Sequence, residues 1–203
     1  MDSTAVAHVR RRPRVLADLA GTAVLGDVLL VLAAAGFVGG LAQVVVHVPG
    51  TPVPVTGQTL GVLLAGSALG LRRGLAALLV YVALGFAGLP WFVGHTAGWQ
   101  GPSTGYLFGF VLAGAVCGFL AERGGDRTMV RAVATMMVGE VAIYLVGVVW
   151  LAVDLHVGMG KAVALGFTPF VVGDAVKMAL AAGLLPGAWW LAGRGAAGRS
   201  HRA

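Results

Sequence analysis

The chain has 203 residues, of which 58% are hydrophobic and 11% charged, with a formal net charge of +6. A soluble domain carries about 25% charged residues, so this composition, with a mean hydropathy of +0.90, excludes an ordinary soluble fold and indicates an all-α integral membrane protein. The one cysteine, Cys117, excludes an intramolecular disulfide and a thiolate metal cluster. The positive charge comes almost wholly from arginines in short segments between apolar runs, which signals membrane topology rather than a nucleic-acid partner.

In chain order, a basic N-terminal segment (1–22) leads into a membrane domain (23–193), and a basic tail (194–203) closes the chain. Apolar runs predict about six transmembrane helices, near 23–47, 56–71, 74–90, 104–121, 129–152 and 169–193. The second and third are short and separated only by Leu71, Arg72, Arg73 and Gly74, so they read as a tight helical hairpin. A signal peptide is the rival reading of the N-terminus, but Asp18 and Asp27 interrupt its apolar core.

Arginines fall on alternate loops: Arg10, Arg11, Arg12 and Arg14 before the first run, Arg72 and Arg73, then Arg123, Arg127 and Arg131, and finally Arg194, Arg199 and Arg202. Because Lys and Arg are retained on the cytoplasmic side, both termini are expected in the cytoplasm, with segments 48–55, 91–103 and 153–168 outside. Residues 48–58 carry three prolines, and Thr56 is placed to cap the helix that follows. Residues 90–106 carry Trp91, Trp99 and Tyr106, suited either to an interfacial belt or to stacking on a ligand.

The strongest chemical signal is Asp174 with Lys177 inside the apolar run 170–185. A charge at bilayer depth costs roughly 2.5–3.5 kcal/mol, and the i, i+3 spacing puts both groups on one helical face. They are therefore either a ligand-binding pair or a structural ion pair. Glu140, also mid-span and one turn before Tyr144, reads as a protonated acid bonded to a neighbouring helix or as a direct ligand contact. Asp27, near the entry of the first run, reads as interfacial or helix-pairing. Residues 158–162, GMGKA, lack the first glycine and the Ser or Thr of a phosphate loop, since Leu155 and Ala162 stand there. There is no ATP motif, no metal-ligand spacing and no nucleophile constellation, so no metal, no cofactor and no catalytic residue is expected.

Six segments then carry a resemblance: residues 52–64 (PVPVTGQTLGVLL), 69–74 (LGLRRG), 88–91 (GLPW), 101–110 (GPSTGYLFGF), 144–151 (YLVGVVWL) and 168–185 (TPFVVGDAVKMALAAGLL). Together they run from residue 52 to residue 185, and the sequence resembles BioY, the biotin-binding S component of energy-coupling factor (ECF) vitamin transporters. The resemblance implies a six-helix S-component bundle in the cell membrane, not an enzyme, with one outward-facing vitamin site. It implies that Asp174 and Lys177 contact biotin and that Gly101, Thr104, Gly105 and Tyr106 line the site. Glu140 stands where relatives are expected to carry Asn.

Biotin offers ureido N–H donors, a ureido carbonyl and a carboxylate around an apolar body. Trp91, Trp99, Tyr106 and Tyr144 are candidate walls, and Gln43 and Gln58 candidate polar contacts. The implied partners are biotin, a transmembrane coupling protein, two ABC-type ATPase subunits and the bilayer. The small-residue pairs Ala35/Gly39 and Gly36/Gly40 of the first helix are candidate contacts with the coupling protein. The alternatives are an S component for another vitamin, or an intramembrane enzyme using Glu140, Asp174 and Lys177.

Overall fold

The computed structural model describes residues 13–20 and 23–200, with side chains through residue 194. Arg10, Arg11, Arg12 and Arg202, and the side chain of Arg199, lie outside the described residues. The helices are α1 (Val24–Leu41), α2 (Gln58–Phe86), α3 (Thr104–Ala121), α4 (Met129–Asp154), α5 (Met159–Gly166) and α6 (Val171–Ser200). Two short strands, β1 (Val45–Val46) and β2 (Val55–Thr56), pair antiparallel. The pairing explains why α1 stops at Leu41, short of the expected end near 47: the valines beyond it join a ladder.

The expected hairpin is present, folded within α2. Gly70 breaks it with φ 82° and ψ −179°, a conformation that side-chain-bearing residues rarely adopt. Gln58 Nε2 donates to the Tyr81 hydroxyl at 2.6 Å, whereas 23 residues of straight helix would separate them by about 34 Å. The two arms of α2 are therefore antiparallel legs. The reversal lies at Gly70 rather than across Leu71 to Gly74, which already belong to the second arm. Leu71 N–H, left without a helical acceptor by the break, donates to Glu122 Oε1 at 2.9 Å.

Among the described residues five helices are long and apolar enough to cross a membrane, and the folded α2 brings the number of legs to about six. α5 lies in the segment 153–168 that reads as a loop. Its eight residues are too short to register as a span, and it packs through Ala162 and Gly166, four apart and both buried.

Small residues set the packing of α2 on α3. A methyl group built on Gly66 would lie 2.7 Å from the carbonyl oxygen of Gly114, so these backbones touch directly, as they do where small residues pack helices in lipid. Cys117 is buried, its thiol directed at the Thr135 carbonyl at 3.6 Å. On α1, Ala35 and Gly39 face inward, Gly39 against Trp91, whereas Gly36 and Gly40 are open. Of the two pairs expected at a coupling-protein contact, Ala35/Gly39 is consumed by internal packing, and only Gly36/Gly40 stays available.

The basic turns converge on one end of the bundle. Arg14, Arg72, Arg73 and Arg123 surround a common space, and Arg127 donates to the carbonyls of Pro13 and Arg14. Asp27 is helix-pairing, bonded to Arg73 at 2.9 Å, and Asp18 joins the same guanidinium at 2.8 Å.

Burial alone would raise the Asp18 carboxyl, but Arg73 and the N–H groups of Arg14 and Val15 outweigh it and hold the group below its usual range. Ionised Asp18 therefore adds stability above the unfolded carboxylate pKa of about 3.9, and that contribution fades as pH falls through the depressed folded value. Thermal unfolding in detergent should show a smaller loss of stability on acidification in Asp18→Asn than in wild type. An identical acid profile would contradict this account.

Candidate functional site

At the opposite end of α3 a cavity of ≈ 200 Å³ lies under the segments that precede α2 and α3. Its floor is built from α2, α3, α4 and α6, which contribute Gln58, Thr59, Tyr106, Tyr144 and Lys177. Val53, Phe92, Phe110, Ile143 and Phe170 supply apolar walls.

Lys177 is the central polar group. Its ammonium donates to Thr59 Oγ1 at 2.7 Å and to Asp174 Oδ1 at 3.0 Å. An ammonium has three donors, so one N–H remains for a ligand in the cavity. Asp174, 4% exposed, stands behind Lys177 and also accepts from the Tyr144 hydroxyl. With both oxygens engaged it is not itself a cavity wall, so its structural position is that of a group that orients Lys177 and Tyr144. The i, i+3 spacing does bring the two charges together, and the tyrosine one helix away completes the network.

Gln58 and Tyr106 also line the cavity. Gln58 accepts from Thr56 Oγ1 at 3.0 Å while its amide meets Tyr81, which fixes its orientation on the cavity. Thr56 accepts from the Gln58 N–H at 3.2 Å, although the N-cap position of α2 is taken by Gly57 and not by Thr56 as expected. Tyr106 presents its ring to the cavity and donates its hydroxyl to the Gly166 carbonyl at 2.7 Å, so α5, unforeseen from the sequence, anchors a wall of the site.

The other expected residues lie around the cavity rather than on it. Gln43 donates to the carbonyls of Trp91 and Phe92 at 3.2 and 3.0 Å and accepts from His95 N–H at 3.1 Å. It shapes the loop that carries Phe92 and Thr96 and does not face a ligand. Trp91 is wedged between α1 and α2, its indole donating to the Tyr81 carbonyl at 3.0 Å. Trp99 is 63% exposed and packs on Phe86 and Trp150.

Gly101 accepts from Trp150 Nε1 at 3.0 Å, and Thr104, fully buried, accepts from the Gln100 N–H at 3.1 Å. Gly105 lies against Trp150 with no space for a side chain. These three hold the start of α3 in place, and Tyr106 alone of the segment carries a cavity-facing side chain among the expected residues. Glu140 is 6% exposed, and neither carboxylate oxygen makes a hydrogen bond among the described residues. It therefore hydrogen-bonds neither Asp174 nor Lys177 nor a neighbouring helix among the described residues, while lying close enough to both charges to feel them electrostatically.

Sequence reasoning missed Thr59, Thr96, Gln100 and Ser103 on the polar side of the cavity. Thr59 was within reach, since it follows Gln58 in the same motif. Gln100 accepts from Thr96 Oγ1 at 2.9 Å and ties back to the carbonyls of Ala97 and Gly98, contacts that depend on the fold of the loop. Among the described residues no group of three or more His, Cys, Asp and Glu could hold a metal ion.

With this geometry in place, the chain's relatives bear directly on it. The model of the BioY family matches residues 12–194. A protein of Pyrococcus horikoshii named "Probable biotin transporter BioY" is 38% identical over 130 residues, 64% of this chain and 76% of that protein. One of Rhizobium etli named "Biotin transporter BioY" is 38% identical over 141 residues, 64% of this chain and 75% of that protein. The crystal structure of an S-component for biotin from an ECF-type ABC transporter superposes with a TM-score of 0.72 at 22% identity, covering 80% of this chain and 89% of that one. At that identity the superposition speaks to the fold, which is that of an S component. A family model that matches nearly the whole chain is decisive, and the chain belongs to the BioY family.

Proposed function

We propose that this chain is the substrate-binding S subunit of an ECF-type transporter and captures biotin from the exterior in the cavity around Lys177. The observation that carries the reading is the cavity itself: an apolar chamber with one ammonium, held by Thr59 and Asp174, and a few fixed polar groups from Gln58, Thr96 and Gln100. Such a site suits a mostly apolar ligand with a few hydrogen-bonding ends. It belongs to a family whose relatives are named biotin transporters.

Lys177 donates to a ligand oxygen, Asp174 and Tyr144 keep it in place, and Tyr106, Phe110 and Phe170 flank the apolar body. The protein acts by binding and not by catalysis. Uphill uptake is supplied by a coupling protein and two ABC-type ATPase subunits, since the sequence has no ATP motif. The arginine distribution supports cytoplasmic termini, with the cavity facing out. The open Gly36/Gly40 pair on α1 is the part of that helix left for the coupling protein.

Gentle purification followed by mass spectrometry of the released small molecules should yield biotin in near-stoichiometric amount. Competition with riboflavin and thiamine should leave biotin in place. Displacement by another vitamin at equal concentration would reassign the ligand while leaving the S-component reading intact.

A further inference from the structure

The basic end of the bundle holds a second cavity, of ≈ 700 Å³, lined by residues of the N-terminal segment, α1, the Gly70 reversal and the end of α3. Its acidic groups are already engaged. Asp18 and Asp27 both pair with Arg73, at 2.8 and 2.9 Å, and Glu122 accepts the Leu71 N–H at 2.9 Å. Arg14, Arg72 and Arg123 line the same space, all exposed, and none forms an ion pair among the described residues. Arg123 instead donates to the Phe119 carbonyl at 3.1 Å and lies over the Phe119 ring, 3.4 Å from its centroid.

We propose that this cavity binds the phosphate of an anionic phospholipid headgroup. Guanidinium groups bind phosphate through paired N–H donors, and three of them surround one concave space whose two aspartates are paired with Arg73, so that the three arginines outweigh the one remaining carboxylate, Glu122. Leu69, Leu71 and Phe119 line the cavity beside the arginines, so the lining is amphipathic, as the boundary between headgroup and acyl chain is. α1, which contributes Asp27 to the cavity, exposes Leu25 and Leu29 (71% and 58%) on its outer surface, an apolar track for acyl chains. That track distinguishes a lipid from inorganic phosphate, which has no use for it. Basic pockets between helices on the cytoplasmic side of membrane proteins are placed to read such headgroups.

The test uses the full chain in neutral detergent. Phosphatidylglycerol should raise the thermal unfolding midpoint by several degrees, more than phosphatidylcholine or inorganic phosphate, and the difference should shrink as ionic strength rises. Native mass spectrometry of wild type from mixed micelles should retain phosphatidylglycerol in preference to phosphatidylcholine, a readout that needs no variant. In Arg72→Ala/Arg123→Ala, checked by gel filtration for a monodisperse protein, the phosphatidylglycerol shift should be lost. Equal effects of the two lipids, an undiminished shift in the variant, or an equal shift from inorganic phosphate would each overturn the proposal.

Discussion

Lys177→Ala is expected to weaken biotin binding by at least about tenfold, or 1.4 kcal/mol, and to destabilise the protein as well. The ammonium is the charged donor of the cavity and also the counter-ion of Asp174, whose side chain is 6% exposed. Removing one partner of a buried pair costs about 3–5 kcal/mol, because the other charge is left unpaired. Asp174→Asn should lose affinity to a similar degree by a different route: its one amide oxygen can accept from Lys177 or from Tyr144 but not from both on separate oxygens, and the ammonium loses its charge partner. Thr59→Val removes one acceptor of Lys177 without unpairing a charge, so its loss should be smaller than either. Isothermal titration on folded, monodisperse protein separates these effects, with unfolding midpoints recorded alongside. Unchanged affinity in both Lys177→Ala and Asp174→Asn would remove the pair from the site.

The second large effect is expected where no ligand is involved. Gly66→Val should abolish the folded protein, and Gly66→Ala should cost about 1–3 kcal/mol, the range for forcing extra carbon into a packed interior. A Cβ at this position would lie 2.7 Å from the Gly114 carbonyl oxygen and 2.9 Å from its Cα, both backbone atoms that move only if α2 and α3 separate. Ala at Gly36, where nothing lies within 4 Å, is the matched control and should leave stability unchanged. Detergent-based thermal unfolding of the three variants reads the difference. A Gly66→Val protein as stable as wild type would show that the α2–α3 contact is looser than the structure has it.

Both effects converge on the site, since α2 carries Gln58 and Thr59 at its start and Tyr81 in its returning arm. Gly70 turns the chain, Gly66 lets the arms lie against α3, and the result is the Gln58–Tyr81 bond that faces one wall of the cavity. Loss of packing at Gly66 would therefore reach the ligand site through geometry alone.

What the sequence determined was set by hydrophobicity and charge, which act locally. Apolar runs long enough for a bilayer, arginines on alternate turns, the LeuArgArgGly segment beside the reversal and the i, i+3 pair Asp174/Lys177 are each contained within a few consecutive residues, so the helical hairpin, the basic end and the charged pair were legible, although the turn itself falls at Gly70. The resemblance carried by six segments named the family.

Tertiary structure decided which side chains reach the cavity, because that depends on rotation and contact between helices distant in sequence. Trp91, Trp99 and Gln43 have the right chemistry for a ligand, yet helix packing turned the two tryptophans into structural wedges and surface, and a loop's unpaired carbonyls claimed Gln43. Thr59 gained its role only because α2 passes within 2.7 Å of a lysine 118 residues further on. Asp174 and Lys177 followed the same division: spacing alone put the two side by side, and only the packing of α4 against α6 set Tyr144 on the carboxylate, leaving the lysine to face the cavity.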